Sequence, residues 1–356
     1  RPSMVTASQI KARASELGFD LCGIAPAESL PELGFLREWI DRGHAAEMAY
    51  MARTADRRAD VRAVLAGARS VVMLATVYNV DRPYSTERNA PGDAKIARYA
   101  WGDDYHDVVG ARTEALRSWM AERAGPTFEA RAYVDTGPVQ ERVYAQHAGL
   151  GWIGKNTCLI NGERGSWLFL SEIICTLDLP PDDASLDQCG NCTLCLEACP
   201  TGALPEPWVL DATRCLSYLT IELKGAVPER QRDGVESHVF GCDICQDVCP
   251  WNDAAARNTD RAWLPRALFD QPSLLDLWQR PDAELRSTMK GSAMTRAGVK
   301  RLRRNLAIAL GNSGDPAARE ALEKPGSGPD PAEAAPSLDD PMVAEHVAWA
   351  RRKLAP

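Results

Sequence analysis

The chain has 356 residues, 45% of them hydrophobic and 25% charged, with a formal net charge of −8. Such a length suits two domains, or three small ones, with a real core. The longest apolar run, Val71–Tyr78, falls well short of the ~20 residues of a membrane span. The negative balance argues against coating nucleic acid by bulk charge. The opening Arg1-Pro2-Ser3-Met4 has no apolar secretion core and reads as a cloning scar before Met4.

Apolar residues at three- and four-residue spacing, as in Ile10, Ala14 and Leu17, predict helices over 4–20 and 30–52. Gly67-Ala68-Arg69-Ser70 leads into the run from Val71, a buried strand. Segment 79–95 reads as a loop long enough to be functional. A helix over 104–124 follows, then a strand near Phe128–Val134, a turn at Asp135–Val139 and a helix through His147. Glycine-rich Gly149–Asn156 precedes strands near 157–161 and 166–177. The alternation over 1–178 predicts an α/β or α+β domain. A Pro/Asp-rich joint at 179–183 opens a cysteine-rich module over 179–260. From 261 to 356 only helices are expected, chiefly Ser292–Asn312 and Pro341–Leu354, with a loop over Pro325–Pro331. They resemble one or two units of a helical solenoid.

Eight of the eleven cysteines fall between 189 and 249. A disulfide scaffold would be short and secreted, so clustered thiols in this long chain point to metal and to the cytoplasm. Cys189-x2-Cys192-x2-Cys195-x3-Cys199-Pro200 is the bacterial ferredoxin run, in which the fourth thiolate ligates the other [4Fe–4S] cluster. Cys242-x2-Cys245-x3-Cys249-Pro250 repeats its last three positions, and Cys215 can fill the place that Val239 leaves vacant. The crossover rule then assigns Cys189, Cys192, Cys195 and Cys249 to cluster one, and Cys199, Cys215, Cys242 and Cys245 to cluster two. Zinc knuckles are the alternative, but they favour two separated C-x2-C pairs closing one tetrahedral site. Cys22, Cys158 and Cys175 lie in apolar surroundings and read as core. Two clusters alone would make a ferredoxin of ~60 residues. The far longer segment upstream implies an electron-receiving site, and so an enzyme.

Four upstream segments are too polar and glycine-rich for plain core: Arg57–Asp60, Tyr99–His106, Val134–Pro138 and Gly149–Asn156. Asp135, ending a strand beside a Gly-Pro turn, is placed to enter a ligand crevice; its other reading is an N-cap for the following helix. Gly149-x-Gly151-x2-Gly154 does not open a helix, which excludes nicotinamide binding. Lys155 and Asn156 suit a large polar cofactor or, equally, an exposed turn. His106 and His147 have no partner at metal spacing and read as helix-surface residues. No Asp-x-His-x2-Gly segment occurs, so no His-ligated cobalamin is readable.

These segments, in order over about residues 5–315, resemble the epoxyqueuosine reductase family. The matching residues are Gly67–Val72, Asp104-Tyr105-His106, Val134–Val139, Gly149–Asn156, Cys199–Leu204, Arg214–Tyr218 and Gly241–Pro250. The resemblance implies a cobalamin-binding α/β domain (1–178), a ferredoxin-type two-cluster domain (179–260) and a C-terminal HEAT-like helical domain (261–356). It implies reduction of epoxyqueuosine to queuosine at the tRNA wobble position, the last step of queuosine biosynthesis, with cobalamin and two [4Fe–4S] clusters as cofactors. Asp135 matches the family's proposed proton donor, which requires a partly buried carboxyl with a pKa raised towards neutrality. Arg58, Lys155, Asn156 and Ser217 match positions expected to line the cobalamin. Ala97 stands there too, where some relatives carry cysteine, so no thiol chemistry falls to it.

Seven basic residues and no acidic one lie between Arg286 and Arg304, a concentrated patch suited to RNA phosphates. Its RNA-contacting members are expected to be Arg296, Lys300, Arg301, Arg303 and Arg304. Lys224 matches a family lysine near the RNA. The acidic stretch after 315 weakens any extension of that surface. A monomer with an unidentified electron donor and no membrane partner is expected. The rival readings are a corrinoid and iron–sulfur reductase of a small molecule, dehalogenase-like, and a bare electron-transfer module.

Overall fold

The computed structural model describes residues 5–323 and 339–355. The predicted Pro325–Pro331 loop and Arg1–Met4 lie outside them. Helix α1 (Ala7–Glu16) starts where sequence chemistry demands it: the Thr6 hydroxyl accepts from the Gln9 N–H, and the Gln9 side chain accepts from the Thr6 N–H. Gly18, at φ +90°, ends the turn and leads into β1 (Leu21–Pro26), a strand absent from the sequence reading. The predicted helix over 30–52 breaks into short pieces at Gly43, also at positive φ.

The first part of the chain is built on β1, β2 (Ser70–Val77), β4 (Ala130–Tyr133) and β7 (Leu168–Cys175), in the order β1-β2-β7-β4. Every pairing is antiparallel. The domain is therefore α+β, and the α/β alternative is corrected: a parallel sheet needs a crossover for every neighbouring pair, and these strands fold back on one another. Strand β2 is buried along its whole length because both faces are covered. Val72 and Leu74 pack with Val109, Leu116 and Met120 of helix α2 (Tyr105–Ala124). Val71, Met73 and Ala75 pack with Val143, Tyr144 and Ala145 of helix α3 (Glu141–His147). Each such side chain contributes about 1.5–3 kcal/mol on burial.

Two small pairings complete the strands. Strands β5 (Trp152–Ile153) and β6 (Leu159–Ile160) form a hairpin, and β3 (Lys95–Ile96) runs parallel to β8 (His238–Phe240). The last pair ties the loop over 79–95 to the cysteine-rich module. The 179–183 joint is likewise fastened: Asp182 accepts from the Ile24 N–H at 2.8 Å, and the Leu179 N–H donates to Ser70 at 3.0 Å.

Beyond residue 261 the described residues are helices and short turns. Helix α4 (Gly298–Asn312) is the hub, with helices 274–279 and 282–289, α5 (Pro316–Glu323) and α6 (Pro341–Lys353) packed around it. Its residues 302–311 are all buried. Among the described residues no helix is long and apolar enough to cross a membrane.

Candidate active site and cysteine module

Asp135 follows β4 by two residues and adopts φ +57°, a left-handed conformation unfavourable to a residue with a side chain. The loop doubles back so tightly that a Cβ at Gly137 would meet the Tyr133 ring at 2.5 Å. This bend turns the Asp135 carboxylate towards the N-terminus of α2. There the Tyr105 hydroxyl donates to Oδ2 at 2.5 Å, and His106 Nε2 lies 3.8 Å from the same oxygen. Tyr105 is held by stacking on Phe169, with ring centres 4.5 Å apart. Asp104 caps α2 by accepting from the His106 N–H, and its carboxylate also meets His106 Nδ1 at 2.7 Å. The imidazole thus spans two carboxylates. The carboxylate of Asp135 caps no helix, so the N-cap reading fails.

The expectation for the Asp135 pKa is also corrected. Burial pushes the carboxyl up, but hydrogen bonds from His106 and Tyr105 outweigh it and hold the group below the usual carboxylate range. Its side chain is 59% exposed, so the mouth of the site is open. His106 shifts the other way: its bond to Asp135 outweighs burial and raises the imidazole pKa above its ordinary value. Within the pair the proton is thus favoured on His106 over Asp135, and His106 belongs to the site rather than to a bare helix surface.

Two further acids stand behind this pair. Glu141, in the first turn of α3, accepts from the Asp135 N–H at 2.8 Å. Glu172 on β7 is fully buried, opposite Met73 and Tyr133 in the sheet, and neither carboxyl oxygen meets a donor. It faces Glu141, and a hydrogen bond between two carboxyls forms only when one carries a proton. Burial pushes Glu141 up to about 7, with the Asp135 charge adding to the effect. Burial and the Glu141 charge raise Glu172 well above the carboxylate range. A lone acid in Ile-rich β7 was the available signal for Glu172. The charges of Asp135, Glu222 and Arg296 also act on Tyr50 and Tyr99, which brings segments 49–58, 97–105 and 217–222 around one mouth.

The cysteines fall into two neighbourhoods. Cys249 lies near Cys189, Cys192 and Cys195, and these four thiols line one cavity with Lys155, Asn156 and Trp251. Cys242 lies near Cys215 and Cys199, and Cys245 near Cys242 and Cys215. Among the described residues no three His, Cys, Asp or Glu side chains are arranged to hold a single metal ion. Four thiols walling a cavity match a cube better than a zinc knuckle. Cys175 is buried core, as expected, whereas Cys158 sits against Cys245.

The residues expected to line a cobalamin divide. Lys155 Nζ donates to the carbonyls of Gly190 at 2.6 Å and Cys192 at 2.9 Å, and Asn156 Nδ2 donates to the Cys245 carbonyl at 3.1 Å. The Ser217 hydroxyl meets the Cys215 thiol. These three side chains bind the cysteine loops. Arg58 lies nearer the mouth; its Nε donates to Thr54 and its Nη1 to the Val139 carbonyl, leaving Nη2 free for a ligand. Ala97 is buried, and a Cβ at Gly241 would meet its Cβ at 2.5 Å, so position 241 admits no side chain beside it.

The basic patch requires correction. Arg304 is fully buried and donates to the carbonyls of Leu219, Leu223 and Gly225, while Arg303 is buried against Asp282 and the Trp278 carbonyl. Arg301 is tied to the carbonyls of Ala297, Arg296 and Glu222. These arginines fasten α4 to its surroundings because the helix is enclosed on all sides and its carbonyl neighbours need donors. Arg296 and Lys300 are exposed but paired, with Glu222 and Asp340. Lys224 is exposed and has no ion pair among the described residues.

Comparison with known proteins follows the same division. Residues 188–252 match the family described as 4Fe-4S double cluster binding domain, and residues 58–136 match that described as Epoxyqueuosine reductase QueG, DUF1730. The chain is 46% identical over 317 residues to an epoxyqueuosine reductase of Gloeobacter violaceus, covering 87% of this chain and 97% of that protein. It is 39% identical to the one of Pseudomonas aeruginosa, covering 98% and 94%. A crystal structure of epoxyqueuosine reductase with an epoxyqueuosine-modified tRNA-Tyr stem loop superposes with a TM-score of 0.85 at 28% identity, covering 98% of this chain and 90% of that one. Another, from Bacillus subtilis, is described with its aspartate catalytic loop swung out of the active site, and superposes at 0.82 with 27% identity and coverage of 98% and 90%.

Proposed function

We propose a function from one premise: the chain belongs to the epoxyqueuosine reductase family. It is an oxidoreductase that reduces epoxyqueuosine to queuosine in tRNA. The observation that carries this reading is the polar centre at Asp135 standing in the same fold as two sets of four thiols. Turning an epoxide into an alkene consumes two electrons and two protons and releases water. The thiols hold two [4Fe–4S] clusters, which pass electrons singly. A cobalamin bound at the mouth would supply a low-valent metal for the two-electron reduction. Arg58 suits the amide and phosphate edge of such a corrin, and Ala97 brings no thiol beside it.

Asp135 orients the imidazolium of His106 and relays its proton to the epoxide oxygen as that oxygen takes up charge, while the second proton enters from solvent through the open mouth. General acid assistance of this kind is worth roughly 10²–10⁴-fold. Tyr105 steadies Asp135 in the reactive position, and Glu141 holds the bent backbone by its bond to the Asp135 N–H. The aspartate loop of the Bacillus subtilis relative supports this role for Asp135.

The substrate stem loop meets the exposed cations Lys224, Arg286, Lys290, Arg296 and Lys300, and the buried Arg303 and Arg304 take no part. We read the helices around α4 as HEAT-like, the enzyme as a cytoplasmic monomer, and the three segments 1–178, 179–260 and 261–356 as its domains. The test is mass analysis of tRNA nucleosides after incubation of anaerobically loaded protein with epoxyqueuosine-bearing tRNA and a low-potential reductant. Queuosine should accumulate. Persistence of epoxyqueuosine with a preparation holding about eight irons and one cobalamin refutes the reading.

A further inference from the structure

Two consecutive residues reach the two thiol sets from one turn, and they differ in charge. Lys155 is 8% exposed and donates to two carbonyls of the loop that carries Cys189 and Cys192. Its ammonium also lies 5.9 Å from the centre of the Trp208 ring. Asn156 is 4% exposed and places a neutral amide on the Cys245 carbonyl. No lysine or arginine side chain among the described residues donates to a carbonyl of Cys199, Cys215, Cys242 or Cys245. Buried acids stand there instead: Asp243 accepts from the Arg98 N–H at 2.7 Å, and Asp247 accepts from Ser85 at 2.5 Å. Cations stand on that side too, but on other residues: the Arg98 guanidinium acts on Asp243, and Arg214 lies against Gly202 in the Cys199 loop.

We propose that Lys155 selectively raises the reduction potential of the cluster bound by Cys189, Cys192, Cys195 and Cys249, and leaves that of the cluster bound by Cys199, Cys215, Cys242 and Cys245 unchanged. The proposal rests on the two-cluster reading above. Reduction adds one electron to a cube already made negative by four thiolates. An ammonium fixed in the wall of its cavity stabilises the more negative state, and burial strengthens the attraction by excluding water. Both hydrogen bonds of the Lys155 ammonium go to the loop of the first set, so its charge acts chiefly on cluster one.

The test is a potentiometric titration of the anaerobic, full-length holoprotein followed by electron paramagnetic resonance. Lys155→Gln should lower the reduction equilibrium constant of cluster one about tenfold, a fall of about 59 mV for a one-electron couple, and leave cluster two in place. Lys155→Arg should keep the wild-type value. No shift in Lys155→Gln, or equal shifts of both clusters, overturns the proposal. If Lys155→Gln holds fewer irons than wild type, Trp208→Glu replaces it, because Trp208 is 45% exposed and its side chain meets the lysine through the ring alone. Its carboxylate should lower cluster one about threefold, and no change there overturns the proposal. An iron count near four in wild type removes the two-cluster reading itself; eight irons with no effect of charge at Lys155 removes this inference alone.

Discussion

Charged side chains serve opposite ends around Asp135 and along α4. At Asp135 the acids outnumber their partners: Glu172 faces only the carboxyl of Glu141, Glu141 accepts one backbone N–H besides, and Asp135 shares its bonds with a tyrosine and a histidine. Along α4 the arginines are consumed by carbonyls and carboxylates, and nothing is left over at Arg303 or Arg304. Unsatisfied charge costs stability and stores protons, whereas satisfied charge fixes a helix in place. The first region is built for chemistry and the second for support.

Substitutions that swap these roles would break the comparison. Asp135→Asn should keep both clusters and the fold yet lose roughly 10²–10⁴-fold in turnover, measured as queuosine formed per enzyme. Arg304→Met should leave catalytic groups untouched but cost about 3 kcal/mol of stability in chemical denaturation, because the buried Leu219 and Leu223 carbonyls and the partly buried Gly225 carbonyl lose their donor. Near-normal stability there would return Arg304 to the RNA surface.

A smaller effect concerns the acid pair. Glu141 and Glu172 have folded pKa values above the usual carboxylate range, so they favour the folded state at low pH. That contribution is lost as pH rises from about 4.5 through about 7, an effect on the order of 2 kcal/mol. Glu172→Gln should flatten the fall in melting temperature between pH 5 and 8. Smallest of all, Lys224→Ala or Lys290→Ala should reduce the salt slope of tRNA binding by about 1 each, with stability unchanged.

The cysteine module was legible because ligand geometry is local: spacings of two and three residues set the thiols whatever the rest of the chain does. The bend that carries Asp135 was legible from its Gly-Pro turn. The partners of Asp135 were not, since Tyr105, His106 and Glu172 reach it only through the antiparallel sheet and α2, and register is a long-range property. Lys155 and Asn156 were read as cofactor contacts because their actual acceptors lie 35 to 89 residues further along. Arg303 and Arg304 misled for another reason: adjacent arginines suggest one solvent-facing side, and only an enclosed helix buries both.

The proton on His106 is the point on which the chemistry turns, and a single-turnover pH profile reaches it directly. The raised pKa of His106 means the imidazolium is present below that value and is lost as pH rises through it. Wild type should therefore show a rate that falls on an alkaline limb above pH 6.5, and His106→Gln should be slower with that limb absent. An unchanged alkaline limb in His106→Gln would contradict the account.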